Sequence, residues 1–95
     1  MLPLLFDWDG GNIGHVGRHG ITPDEAEEAL LDPDRVGGRA YGVDGERRSA
    51  FIGSTDSGRT LLVVTAVRRR RVRVVTAREA SAPERRHYRK RKAQG

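Results

Sequence analysis

The chain has 95 residues, no cysteine and a formal net charge of +5. It has no room for a second hydrophobic core, and it has no thiols for a disulfide or a cysteine–zinc site, so its redox compartment is left open by this chemistry. With 36% hydrophobic and 33% charged residues the balance is polar but still globular, and no apolar run approaches the ~20 residues of a membrane-spanning helix. The opening MLPLLFDWD carries no basic segment and turns acidic at once. No signal peptide is therefore expected, and the protein is read as cytoplasmic, with no membrane partner.

The net charge hides a division. Residues 1–46 carry three arginines against ten acidic residues, and residues 47–95 carry fifteen Lys and Arg against three acidic residues. A basic half built almost wholly of arginine points to a polyanion, because guanidinium meets phosphate in bidentate geometry. Compositional bias toward arginine is the plain alternative.

In chain order, Leu4 to Trp8 (LLFDW) reads as a short first strand, broken by Asp9-Gly10-Gly11. Asn12 to His19 reads as a short helix capped by Asp9 or Asn12, with Ile13 and Val16 on one face and Gly20 as its C-terminal stop. Gly14 and Gly17 each cost it about 1 kcal/mol relative to alanine, so tertiary packing must hold it. Thr22-Pro23-Asp24-Glu25 opens a second helix, with a capping threonine, proline at the first position and Glu25 closing a capping box. Ala26, Ala29 and Leu30 form its apolar face, its four acids suit the helix dipole, and Asp32-Pro33 ends it. Residues 35–43 are glycine-rich and suit an edge strand. Arg48 to Gly53 is a strand joined through the turn Ser54–Gly58 to Leu61–Val67, which is apolar on both faces and so suits the centre of a sheet. Val72 to Ala77 is its β-branched partner. The hairpin tip between them, Arg68 to Arg71, lacks glycine and asparagine, so a mobile loop of four or more residues is expected. Ser81-x-x-Glu84 caps a last helix ending near Lys90 or Arg91, and residues 92–95 are expected to fray. The fold class is α+β in one domain over 1–95: a small antiparallel sheet of three to four strands, two short N-terminal helices and one basic C-terminal helix.

Few residues carry chemistry by type. His15 and His19 are four apart on one helix face, a metal-binding spacing that Arg18 between them opposes, so no metal site and no cofactor are expected. His19 is either an acid–base group or a helix-terminal histidine bonding free carbonyls. The arginine tip can grip a phosphate backbone or simply keep the hairpin solvated. By period 2, Val72, Val74, Thr76 and Arg78 share one strand face, which makes Arg78 a guanidinium at the end of an apolar stripe, with Glu79 or Glu84 as possible partners. Glu84 and Tyr88 are neighbours on the last helix, and Tyr88 can stack on a base or cover the sheet.

Four segments, taken in order, resemble the BrnT toxin family: WD-x-x-N-I-x-H-x-x-RHG (Trp8 to Gly20), E-R (Glu46-Arg47), G-R-x-L-x-V-V (Gly58 to Val64) and R-V-V-T-A-R-E-A-x-x-x-E-R-x-x-Y (Arg73 to Tyr88). No one of them is specific alone; the combination is. The resemblance implies a RelE-like fold and a toxin of a type II toxin–antitoxin pair that cleaves RNA without a metal, by attack of the ribose 2′-OH on the adjacent phosphate. It implies His19 as proton shuttle and Arg18, Arg47, Arg78 and Tyr88 as further catalytic positions. It implies Arg47 or Arg48, Arg78 and Arg59 as phosphate clamps; Arg48, Arg59, Arg71, Arg73, Arg85 and Arg86 are the candidate RNA-binding residues. A small ribbon-helix-helix antitoxin is the implied partner, through which operator DNA is reached. The sequence departs from the family at Val16, near where many relatives carry asparagine, and at Arg18, where lysine is commoner. Arginine does not shuttle protons, so Arg18 is expected to act electrostatically. The alternative in a different class is a non-catalytic RNA- or ribosome-binding module. The two readings divide on whether His19, Arg78 and Tyr88 converge.

Overall fold

The computed structural model describes residues 5–38 and 40–95. Its elements are β1 (Phe6–Asp7), α1 (Gly10–Gly17), α2 (Pro23–Leu31), β2 (Val36–Gly37), β3 (Tyr41–Val43), β4 (Glu46–Ser54), β5 (Thr60–Arg68), β6 (Arg71–Glu79) and α3 (Ala82–Gln94). The sheet has six strands in the order β1-β6-β5-β4-β2, with β3 following β2 along the same edge of β4. It is mixed, because β1 runs parallel to β6 while every other pair is antiparallel.

The expected three to four strands are therefore too few. The glycine-rich stretch, in which Arg39 lies outside the described residues, makes two short strands instead of one. The second enters β4 through the Asp44-Gly45 turn, with φ of 50° and 78°, the pairing that a two-residue hairpin demands. The first strand is two residues long, and the expected start at Leu4 lies outside the described residues.

β5 is central, as its double apolar face requires, and each sheet face carries its own core. On one face α1 and α2 pack Val16, Ile21, Ala26, Ala29 and Leu30 on Leu61, Val63, Val74 and Ala77. On the other, α3 lays Tyr88 and the preceding Ala80 against Ile52, Val36 and Leu62. In α1 the buried pair is Asn12 and Val16, while Ile13 is 45% exposed, so the expected Ile13–Val16 face is wrong by one position. Asn12 is too well bonded to leave the interface: its Nδ2 donates to the carbonyls of Asp7 (2.9 Å) and Val74 (3.0 Å), and its Oδ1 accepts from the Asp9 N–H (2.7 Å). Asp9 is the cap. At the other end the N–H of Gly20, with φ of 72°, bonds Gly17 O, and the N–H of Ile21 bonds Val16 O, the two bonds of a glycine-terminated helix.

A β-bulge overturns the expected stripe on β6. Thr65 pairs with Val74 while Val64 pairs with Thr76, so Val75 has no partner and alternation shifts there. Val74 and Ala77 both enter the α1–α2 core, and Thr76 and Arg78 turn to the other face. The last helix runs past Arg91 to Gln94, and the Gly95 N–H bonds the carbonyls of Arg91 and Lys92, so the expected frayed tail is helical.

The α2–β4 contact sets the spacing of the upper layer. A Cβ on Gly53 would stand 2.1 Å from the backbone oxygen of Ala29, which cannot rotate away. We predict that Gly53→Ala costs about 3 kcal/mol or more, because backbone and not a side chain must move. A urea midpoint within error of wild type would contradict this packing.

Candidate nucleic-acid interface

Sheet alternation sorts the arginines. Arg48 pairs with Ala66, Ala66 with Arg73, Arg68 with Arg71, and Leu62 with Arg78. These side chains share the α3 face of the sheet. Arg47 is one residue out of phase with Arg48 and projects on the opposite face, beside Ser49, Thr65 and Val67. The structure thus separates Arg47 from Arg78, with which the sequence reading had grouped it.

Several of these guanidiniums are committed to carboxylates. Arg78 holds Glu84 in a two-pronged pair, with bonds of 2.8 and 3.0 Å, and also donates to Glu79 O. This pair, together with the backbone N–H and hydroxyl of Ser81, pulls the Glu84 carboxyl down to about 2. Arg59 donates through Nε to Glu79 (2.9 Å) and through Nη1 to Glu25 (3.1 Å) and to the carbonyl of Gly20 (2.9 Å). Its bonds to Glu79 and then Glu25 raise the Arg59 pKa above its ordinary value. Arg73 donates to Asp9 (2.9 and 3.2 Å) and lies 3.5 Å from Asp7, so Asp9 titrates lower and Arg73 higher than usual. Arg68 and Arg48 both approach Glu46, and the Arg68 bond is the main cause of its lowered pKa.

Tyr88 has a structural place. It is 4% exposed and its hydroxyl donates to Asp32 Oδ2 at 2.6 Å, while Asp32 also accepts from the Ser54 N–H at 2.8 Å. Burial and then the Asp32 bond raise the Tyr88 pKa. One carboxylate thus joins α2, β4 and α3, and Tyr88 is not presented to a base. Arg78 and Tyr88 are thus each held by a structural partner, Glu84 and Asp32.

The fold brings other groups together. The hairpin tip, Arg68, Arg69 and Arg71, borders a cleft of about 710 Å³ with Arg73, Asp7 and Asp9. Beside it, a second hollow of about 250 Å³ is lined by Gly11, Asn12, His15, Arg68, Arg73 and Val75. His15 is exposed, and its ring centroid stands 6.0 Å from that of His19. His19 is also exposed; it neither packs on Trp8, whose indole donates to Glu27 at 2.7 Å, nor caps the helix, since backbone N–H groups take those carbonyls. Arg18, Arg47, Arg69, Arg70, Arg71 and Arg86 have no carboxylate partner among the described residues. Arg85 donates to Ala80 O at 2.7 Å. Among the described residues no three His, Asp or Glu side chains gather at metal-ligand spacing, and no helix is long and apolar enough to cross a membrane.

Sequence reasoning missed the conformation of the hairpin tip. It is a two-residue turn with Arg69 at φ 51° and Arg70 at φ 64°, both in the left-handed region, and not a long mobile loop. Arginine there carries backbone strain of roughly 1–3 kcal/mol per residue. Strain of this kind concentrates where a chain is used, and nothing in the residue types announces it.

The fold and cleft define an α+β protein with an arginine-walled groove, His15 in the hollow beside it and His19 with its ring 6.0 Å from that of His15. The sequence comparison makes this particular: residues 8–84 match the family described as the ribonuclease toxin BrnT of type II toxin–antitoxin systems, and the chain belongs to that family. No curated protein matches it. The matched span includes both histidines and the hairpin, and ends at Glu84, short of Tyr88.

Two outcomes follow for this region. Glu84 is depressed in the folded state, so its stabilising contribution is full above the unfolded value near 4.5 and is lost as pH falls toward about 2. We predict that Glu84→Gln flattens the loss of stability of wild type across that window; an unchanged slope would contradict the pairing. Replacing Arg69-Arg70 by Asn-Gly should raise stability by roughly 1–2 kcal/mol in thermal or urea unfolding, by removing left-handed strain. A destabilised double variant would refute the turn assignment.

Proposed function

We propose that the protein is a metal-independent endoribonuclease toxin, with its site at the junction of α1 and the arginine hairpin. The observation that carries this is the exposed His15 in the hollow beside the arginine hairpin, with the exposed His19 ring 6.0 Å from it. A ribose 2′-OH attacks the adjacent phosphorus, the P–O5′ bond breaks, and a 2′,3′-cyclic phosphate remains. That path needs a proton-transfer group and cations at the phosphoryl oxygens. His19 is the proton shuttle. Arg18, Arg69 and Arg71 stabilise the charge that builds on phosphate. Arg48, Arg73, Arg85 and Arg86 follow the RNA backbone. Arg59 and Arg78 act through position: one clamps the Gly20 carbonyl beside His19, the other the start of α3. In this reading the domain is RelE-like, works in the cytoplasm, and is silenced by a cognate ribbon-helix-helix antitoxin that links it to operator DNA.

The binding-only reading draws on one observation, the commitment of Arg78 and Tyr88 to structural partners. Induced expression in a bacterial host separates the two. Wild type should arrest growth and deplete RNA, while His19→Ala and Arg71→Ala, both exposed and harmless to folding, should grow. An acid–base group contributes roughly 10²–10⁴-fold, enough to abolish arrest. Arrest without RNA loss, unchanged in His19→Ala, would favour binding alone.

A further inference from the structure

We propose that His15 is the second proton-transfer group of the site, acting with His19 on opposite oxygens of one phosphate. This deepens the nuclease reading above and rests on it.

The His15 side chain is exposed and has no hydrogen-bond partner among the described residues, so it contributes no cap and no core packing. It nonetheless has a defined place. Asn12, one turn before it, fixes the roll of α1 on β6 through Val74 O. That roll turns His15 into the hollow walled by Arg68 and Arg73. Arg73 in turn grips Asp9, the cap of the same helix, so helix and arginine wall are held in register.

The spacing then matters. One helical turn separates His15 from His19, and their rings are 6.0 Å apart, tilted by 48°. Acid–base groups act at about 2.6–3.2 Å from the atoms they serve. Two imidazoles at this separation reach the attacking and departing oxygens of one phosphate lying across them. An in-line displacement needs a group on each side, and neither Arg68 nor Arg73 can supply it, since guanidinium does not release its proton.

The step balances with two histidines. One neutral imidazole takes the 2′-OH proton as the 2′-O–P bond forms. The other, as imidazolium, gives its proton to the 5′ oxygen as the P–O5′ bond breaks. The two rings end with exchanged protonation states. Water attack on the cyclic phosphate runs the transfer in reverse and restores them.

The test uses the full chain, an oligoribonucleotide that wild type cuts, and the same oligomer with sulfur in place of the 5′-bridging oxygen at the cut linkage. A thiolate leaves without a proton, so loss of the general acid is forgiven on sulfur and loss of the base is not. We expect His15→Ala and His19→Ala each to fall roughly 10²–10⁴-fold on the oxygen substrate. We expect one of the two, and not both, to recover toward wild type on sulfur. Circular dichroism of both variants should match wild type. Cleavage by His15→Ala within a few-fold of wild type overturns the inference and leaves the nuclease reading standing if His19→Ala is inactive. Equal losses on both substrates for both variants overturn the acid–base pairing. Failure of wild type to cut any RNA overturns the reading beneath it.

Discussion

The candidate site depends on one buried amide. α1 has eight residues, four of them glycine, and could not persist alone. Asn12 makes up the deficit by bonding backbone at Asp7, Asp9 and Val74, where an unpaired buried polar group would be costly. It thereby fixes both where the helix sits and how it is rolled. Arg59 holds the far end, by the Gly20 carbonyl, against the acids of α2 and the end of β6. Between these two anchors His15 is left open on the side of the arginine hairpin.

Charge is distributed by the same logic. The acids of the first half of the chain are not merely a dipole device. Glu25, Glu27, Glu28 and Asp32 each accept a hydrogen bond from a distant residue. Glu25, with Asp9, Glu46, Glu79 and Glu84, neutralises arginines that build the fold, which leaves Arg69 to Arg71, Arg18 and the outer face of α3 to meet an external anion. A chain with this many arginines therefore presents a smaller and more localised basic surface than its composition suggests. The left-handed backbone at Arg69 and Arg70 keeps two of the free guanidiniums at that surface in place of the asparagine and glycine that the turn prefers.

Much of this was legible in the residues, for reasons that are local. The capping boxes at Thr22 and Ser81, the double-faced apolar run of β5 and the stop at Gly20 are all short-range signals, and each marks a real boundary. The features that stayed hidden are long-range. The bulge opposite Val64 and Thr65 depends on the register of two strands, and it moved Arg78 off the stripe to which alternation assigned it. Ile13 and Asn12 exchanged roles because a polar side chain with three backbone partners outcompetes an apolar one at that position. β1 is two residues long and gains its place by parallel pairing with β6, which its own sequence does not encode. At the site, the resemblance pointed to His19 and the arginines by position. It could not say that Tyr88 would be buried on Asp32 or that Arg47 would face away. His15 was visible only as a spacing, and its neighbours across the sheet gave that spacing a meaning.

We proposed above that this surface cleaves RNA through the ribose 2′-hydroxyl, without a metal. The most direct measurement is mass analysis of products from purified protein incubated in chelator with an oligoribonucleotide and with its 2′-O-methyl counterpart. The first should be cut, leaving a 2′,3′-cyclic phosphate and a 5′-hydroxyl, and the second should stay intact. Fragments bearing a 5′-phosphate and a 3′-hydroxyl, or cutting of RNA only when a divalent cation is restored, would contradict it.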